Sequence, residues 1–434
     1  MAQIGTKVWA LMIILLIVGI AIGYPVGMYT APSRVVEKTI EKTVEVPVEK
    51  TVEVPVYPLE GEIFIGHIMS ELPENRIPAT EIAEADVNEY VKKLGLPITF
   101  RVLIEDTEES AVKALEKLES LAARGVKVVT GLTWSSHVKA CKDYADTNHI
   151  VLLSDGSTAP ALAIADDWVF RIVCDDTVQG KAIARMLIDY GIKAIAVMQR
   201  ADAWGDGLYG ELEKWFKEWG GEIIEYIRYD PEKTEFSAEI YTVDGKIREA
   251  IEKYGEGKVA LEVLSFTADV VPIQVAAGDY PELLKVPWFG SDGHALSSRL
   301  VEEAGDLAAQ TKHLCTFMAP TESSRHKAFI DKFMARTGLY PDIYTILLYD
   351  CIWILAKSIL EAGTYDAEVI REVLPDVAEA YFGATGWCKL NEAGDRAATN
   401  YDIWAVVEEA GKIDWKKVGV YDLLTEKITW LVQI

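Results

Sequence analysis

VKVVTGLTWSSHVKACKDYADTNHIVLLSDGSTAP, residues 126–160, is the stretch that decides the fold. Val126–Thr130 is a short run rich in valine that enters Gly131, and Ile150–Ser154 is a second apolar run. Between them, Ser136–Thr147 has the spacing of a helix. Short apolar strands alternating with helices imply a mostly parallel sheet with helices on both faces.

The alternation extends in both directions. Upstream, Glu62–Met69 and Ile98–Glu105 read as strands, Pro78–Gly95 as an amphipathic helix, and Ser110–Arg124 as a helix closed by Gly125. Downstream the pattern restarts. Ala194–Met198, Ile223–Arg228, Val259–Leu264 and Val286–Phe289 are strands, separated by helices at Leu208–Trp219, Lys246–Tyr254 and Ala268–Gly278. Arg325–Thr337 and Tyr344–Ala362 are strong helices. The fold class is therefore α/β, with two doubly wound parallel-sheet lobes. Ligands of such sheets sit beyond the carboxyl ends of the strands. That singles out the loops Gly131–Ser136, Ser154–Pro160, Gln199–Gly207, Ser265–Thr267 and Gly290–Ala295.

These loops divide by chemistry. Ser135 and Ser136 open one helix, and Ser157 and Thr158 follow the next strand with Gly156 beside them. Hydroxyls and backbone N–H groups at helix starts suit a carboxylate; helix capping by Ser135 and Ser157 is the plainer alternative. In the second lobe, Trp204, Phe266 and Asp292 each follow a strand. Two aromatics and a carboxylate suit an ammonium group on an apolar body. Gly205-x-Gly207 reads as a tight turn and is no dinucleotide fingerprint. His137 and His149 read as surface residues, and no nucleophile has a paired base, so no enzyme is expected.

Composition bounds the rest. The 434 residues suffice for two or three domains. A formal charge of −25 disfavours nucleic acid as a partner. Six Gln and five Asn are few, as in thermophile proteins. The five cysteines form no CxxC, and HExxH and HxxxH are absent, so no metal or cofactor is expected. The cysteines read as small buried hydrophobes, with one or two disulfides as the alternative in an exported chain.

No charged side chain occurs from Val8 to Ser33. Val8–Tyr29 is 22 residues, enough to cross about 30 Å of hydrocarbon as a helix. With Lys7 before it, the N-terminus is expected in the cytoplasm and the remainder outside; a cleaved signal peptide ending near Gly23 is the alternative. EKTVEVPV then occurs twice, at Glu41–Val48 and Glu49–Val56. Recurrent proline excludes a continuous helix, so the repeat reads as an extended stalk, or as a strand pairing between chains.

Ordered motifs add a resemblance. Gly131-Leu-Thr-Trp-Ser-Ser136, Leu153-Ser-Asp-Gly-Ser-Thr-Ala-Pro160, Phe170-Arg-Ile, Asp202-Ala-Trp-Gly-Asp-Gly207, Phe289-Gly-Ser-Asp-Gly293, Tyr349-Asp350, Thr385-Gly386 followed by Asn391-Glu-Ala-Gly-Asp-Arg396, and Tyr401-Asp-Ile-Trp404 carry it. From Gly61 to Val407 the chain resembles type I periplasmic binding proteins, specifically the branched-chain amino-acid-binding subunits of ABC importers. Its anchored, stalked form resembles archaeal members.

The resemblance implies two lobes joined by three crossovers, near Arg171–Asp175, His313–Phe317 and Ala384–Asn400. With 1–33 read as the anchor and 34–59 as the stalk, it implies 60–173 with 315–385 as lobe 1, and 174–314 with 386–434 as lobe 2. It implies Ser135 on the ligand carboxylate, Gly156 and Thr158 (beside Ser157) on carboxylate and amine, and Asp292 on the ammonium. Trp204, Phe266 and Tyr344 are implied as aromatic cover. Three departures bear on the ligand side chain: Asp292 stands for the usual Glu, Trp204 for a Tyr, and Glu71–Arg76 reads ELPENR where relatives offer an aromatic. The expected function is capture of an amino acid or similar zwitterion for an ABC permease. A chemosensory or surface-assembly protein, self-associating through the stalk, is the other expectation.

Overall fold

The computed structural model describes residues 59–432. The expected membrane anchor, and the stalk up to residue 58, lie outside the described residues.

The first lobe begins with β1 (Gly61–Met69), α1 (Pro73–Leu94), β2 (Ile98–Asp106), α2 (Ala111–Ala123), β3 (Val128–Gly131), α3 (Ser135–Asn148), β4 (Val151–Ser154) and β5 (Val169–Arg171). Its five strands run parallel in the order β2-β1-β3-β4-β5. Every residue of β3 and β4 is buried, as expected of strands covered on both faces. Ser110 caps α2 by accepting from the Lys113 amide, and Gly95 ends α1 at φ 70°. Helix α1 starts five residues before Pro78, the expected first residue. Pro73 occupies its first turn, and Pro78 is tolerated within it.

The second lobe takes α4 (Asp176–Tyr190), β6 (Ala194–Arg200), α5 (Ala203–Glu218), β7 (Glu222–Tyr229), α6 (Ser237–Tyr254), β8 (Val259–Leu264), α7 (Thr267–Ala276), β9 (Trp288–Gly290), α8 (Ser298–Gln310) and β10 (Leu314–Met318). The chain then returns to the first lobe as α9 (Ser324–Thr337), α10 (Ile343–Ala362), α11 (Ala367–Ala380) and the small hairpin β11 (Phe382–Gly383) and β12 (Gly386–Trp387). It ends in the second lobe with β13 (Tyr401–Glu409), β14 (Lys412–Asp422) and β15 (Lys427–Trp430).

The second sheet has the order β15-β14-β13-β10-β9-β8-β6-β7. Strands β6 to β10 are parallel, whereas β13, β14 and β15 add an antiparallel edge to the expected parallel sheet. Ala410 and Gly411 join β13 to β14 with φ of 54° and 78°, the backbone that two-residue hairpin turns require. Cys315 pairs with both Gly290 and Trp404, and Met318 with Tyr401. The passage between lobes therefore falls after Met318 rather than at Cys315, because β10 has ladder partners throughout its length.

Each sheet is packed on both faces. Helices α1, α9, α10 and α11 cover one face of the first sheet, and α2 and α3 the other. Helices α6, α7 and α8 cover one face of the second, and α4 and α5 the other. Arg171 knits two of the passages together. Its Nε and Nη2 reach Asp395 Oδ1 and Oδ2 at 2.5 and 2.6 Å, and its Nη1 donates to the carbonyls of Ser157 and Ala159. The Arg396 amide bonds the Arg171 carbonyl at 2.8 Å. All five cysteines are buried and unpaired, in keeping with their reading as small core residues.

Candidate binding cleft

Loops from the strand ends of both lobes meet between the sheets. On the first lobe, Ser135 is the opening residue of α3, but Trp134 occupies the cap position. Ser135 Oγ instead accepts from Ser157 Oγ at 3.0 Å and from the Ala159 amide at 3.1 Å. A hydroxyl that accepts twice keeps its own proton for a third partner, so Ser135 is equipped to donate to an anion. The capping reading of Ser135 and Ser157 does not hold. The amides of Gly156 and Ser157 turn onto Ser154 Oγ, at 3.3 and 3.0 Å. Gly156 is required by space: a Cβ there would lie 2.4 Å from Thr133 Cγ2 and 3.0 Å from Tyr344 Cδ1.

Thr158 leads across to the second lobe. Its Oγ1 donates to Asp176 Oδ2 at 2.8 Å, and the Asp176 amide bonds the Thr158 carbonyl at 2.8 Å. Asp176 opens α4, where Asp175 is the cap and accepts from the Thr177 amide. Asp292 lies in the loop after β9 and takes the Tyr344 hydroxyl on Oδ2. Asp176 Oδ1 and Asp292 Oδ1 are buried without a hydrogen-bond partner. Burial raises both carboxyls above their ordinary range, and for Asp176 the charge of Asp292 raises it further. The Tyr344 hydroxyl, and after it the Gln179 and Ser291 side chains, moderate the rise at Asp292. Two buried acids, each with one open oxygen, form a site for a cation with several N–H donors.

The aromatic residues of the second lobe lie together. Trp204 and Phe266 have ring centroids 4.8 Å apart, and Trp134 of the first lobe lies 5.2 Å from Phe266. Arg200 sits 4.4 Å over the Phe266 ring, held by Asp202 and Asp269. The two rings rest on the backbone beside Asp292: a Cβ at Gly293 would lie 2.8 Å from Trp204 Cη2 and 3.0 Å from Phe266 Cδ1.

Some loop residues have roles other than those expected. Gly205 and Gly207 lie within α5 rather than in a turn, and both are set by close approach. A Cβ at Gly205 would meet the Arg200 carbonyl at 2.3 Å, and one at Gly207 the Pro160 ring of the other lobe at 2.6 Å. His137 is buried, not superficial, with Ser70 Oγ 2.9 Å from its Nδ1. Burial drives its pKa down to about 4, so it is neutral. His149 is exposed and stacks on Trp168 at 4.8 Å. Arg76 turns into the first lobe, onto Asp342 Oδ1 at 2.8 Å and the Thr345 hydroxyl. Glu71, beside it at 3.5 Å, is pushed up to about 7 by burial against the opposing pull of Arg76.

Sequence reasoning did not single out Asp176 or Trp134. The only trace of Asp176 was the Asp175-Asp176 pair just after a crossover, where one acid is taken by the cap. Trp134 stood inside a quoted motif, next to the serines.

The comparisons agree with this architecture. Residues 75–409 match the family model described as receptor family ligand binding region. An uncharacterised protein of Methanocaldococcus jannaschii is 34% identical over 368 residues, covering 81% of this chain and 86% of its own. The leucine-, isoleucine-, valine-, threonine- and alanine-binding protein of Pseudomonas aeruginosa is 23% identical over 306 residues, covering 67% of this chain and 74% of its own. Among solved structures, a leucine-binding protein of Thermotoga maritima superposes with a TM-score of 0.68 at 20% identity, over 82% of this chain and 98% of that one.

Proposed function

The chain belongs to the family of receptor ligand-binding regions and has the type I periplasmic binding fold, and on that premise we propose that it captures an amino acid or a similar small zwitterion between its two lobes. The observation that carries this reading is the pair of open carboxylate oxygens on Asp176 and Asp292; Asp176 accepts from Thr158, the residue next to the Ser157 whose hydroxyl bonds Ser135. An α-ammonium fits the acids, an α-carboxylate fits Ser135, and the Trp204–Phe266 wall covers the apolar part. No covalent step is involved. The ligand stabilises the closed arrangement through its greater affinity for it.

Delivery to an ABC permease is the second element of the reading, supported by relatives named as amino-acid-binding proteins. The apolar segment Val8–Tyr29 supports a membrane anchor, with the N-terminus cytoplasmic and the lobes outside. A sensory role is favoured by one observation, the receptor description of the family. Co-purification with permease subunits from native membranes separates the two.

The test is calorimetric titration of the full chain with the twenty amino acids, urea and short amides. An amino acid bound at micromolar affinity or tighter, and weakened by Asp292→Ala, is the expected result. Heat from none of the amino acids overturns the reading.

A further inference from the structure

Behind the Asp292 loop, the second lobe gathers three metal-type donors that the cleft does not use. His294 Nε2 and His313 Nε2 lie 2.9 Å apart, with the rings nearly perpendicular at 89°. These two nitrogens and Cys315 Sγ all lie within 4.8 Å of one another. All three residues are buried.

The rings are oriented from outside. His294 Nδ1 faces the Ser265 carbonyl and hydroxyl, each at 3.1 Å, and His313 Nδ1 faces Gln274 Oε1 at 3.0 Å. Where the Ser265 carbonyl and Gln274 Oε1 accept, each Nδ1 carries the proton and each Nε2 presents a lone pair; in the other tautomer the Ser265 hydroxyl donates to His294 Nδ1 and a proton is shared between the two Nε2 atoms. In the first tautomer, two lone pairs aimed at each other across 2.9 Å repel unless a cation lies between or beside them. Outer carbonyls fixing the imidazole tautomer are the usual surroundings of metal-ligating histidines. Gly290 supplies the room: a Cβ there would lie 2.3 Å from His294 Nε2 and 3.2 Å from Cys315 Sγ.

We propose that His294, His313 and Cys315 form a buried site for a thiophilic transition-metal ion of the zinc class. Two imidazoles and one thiolate are a borderline-soft donor set that suits Zn²⁺. Zn–N bonds of about 2.0–2.1 Å around a tetrahedral ion set the nitrogens about 3.3 Å apart, a few tenths of an ångström wider than here. Binding displaces the thiol proton of Cys315 to solvent, and no electron is transferred. The ion would tie the loop after β9 to strand β10. His294 is two residues beyond Asp292, and β10 leads into the second passage between lobes. That link to ligand binding rests on the proposed function; the metal site itself does not.

The full chain, stripped with a chelator, is titrated with Co²⁺ and Zn²⁺. The expected result is one equivalent of Co²⁺ with a thiolate-to-metal charge-transfer band in the near ultraviolet, displaced by Zn²⁺ and absent in Cys315→Ser. X-ray absorption of the zinc form of the native chain should show nitrogen neighbours near 2.0–2.1 Å and one sulfur near 2.3 Å. This measurement stands even where Cys315→Ser fails to fold. Absence of the charge-transfer band, or an oxygen–nitrogen shell without sulfur, overturns the proposal. So does an Nε2-bound proton, seen by NMR in the metal-treated chain, shared between the two rings.

Discussion

The Tyr344 hydroxyl, carried by the first lobe at the start of α10, donates to Asp292 Oδ2 in the second lobe. This bond spans the cleft at the residue proposed to hold the ligand's ammonium group. It does two things at once. It draws the lobes together and leaves Asp292 Oδ1 alone for the ligand.

Tyr344→Phe should loosen that bridge while keeping the ring beside Phe317, whose centroid lies 6.0 Å away. A hydrogen bond to a charged group contributes about 1.5–3 kcal/mol, so ligand affinity should fall roughly tenfold to a hundredfold. Small-angle scattering of the ligand-free variant should give a larger radius of gyration than the parent. Equal radii and equal affinities would show that the bond plays no part in closure.

Asp176 leads to a pH prediction. Burial, and then the charge of Asp292, raise its pKa well above the ordinary value, so without ligand it keeps its proton to a higher pH than a free aspartate does. An incoming ammonium favours the ionised form and lowers that pKa. Binding therefore releases a proton, and affinity rises as pH rises through the ligand-free pKa. The limit is about tenfold per pH unit, from about 1.4 kcal/mol per unit of pKa. Calorimetry in buffers of different ionisation heat measures the release directly. Asp176→Asn should abolish it and weaken binding. Proton uptake on binding would contradict the assignment.

How much of this was legible in the sequence follows from what each feature depends on. Strand–helix alternation depends on local apolar patterning, so β3, α3 and β4 could be placed from residues 126–154 alone. The aromatic pair was legible because Trp204 and Phe266 each follow a strand of one sheet. Features that depend on packing were not. Gly207 looked like a turn residue because the Pro160 ring it faces belongs to the other lobe. His294 is 19 residues from His313, a spacing that fits no motif, and only the β9–β10 pairing of Gly290 with Cys315 brings the three donors together. Asp176 was masked by Asp175, whose capping role is local and therefore visible.

Glu262 bears on stability rather than binding. It sits in the middle of β8, buried, with neither carboxylate oxygen hydrogen-bonded. Burial alone raises its pKa well above 4.5. A group whose pKa is raised by folding contributes its full stability below the unfolded value and loses it as pH rises through the folded value. The parent should therefore lose stability as pH rises above the ordinary value of 4.5 and on through the folded value, and Glu262→Met should flatten that slope. At neutral pH the variant should be about 1–3 kcal/mol more stable, the range for removing an unsatisfied buried polar group. Denaturant unfolding across that range checks both; a destabilised Glu262→Met would show that the acid has a partner after all.

Gly207 tests closure itself. Its α5 helix packs against Pro160 of the first lobe so tightly that a Cβ would sit 2.6 Å from the proline Cδ. That contact lies between the lobes and in the interior of neither, so it is expected to loosen as they part. Gly207→Val should therefore act as a wedge: overpacking costs about 1–3 kcal/mol, and here the cost falls on the closed arrangement alone. Ligand affinity should drop by about tenfold or more, since the ligand must now work against that strain. The thermal midpoint without ligand should stay within about 2–4 °C of the parent, because the two cores are untouched. A large fall in the midpoint would mean that the lobes depend on each other for folding, and an unchanged affinity would mean that the ligand is held without the approach of α5 to Pro160.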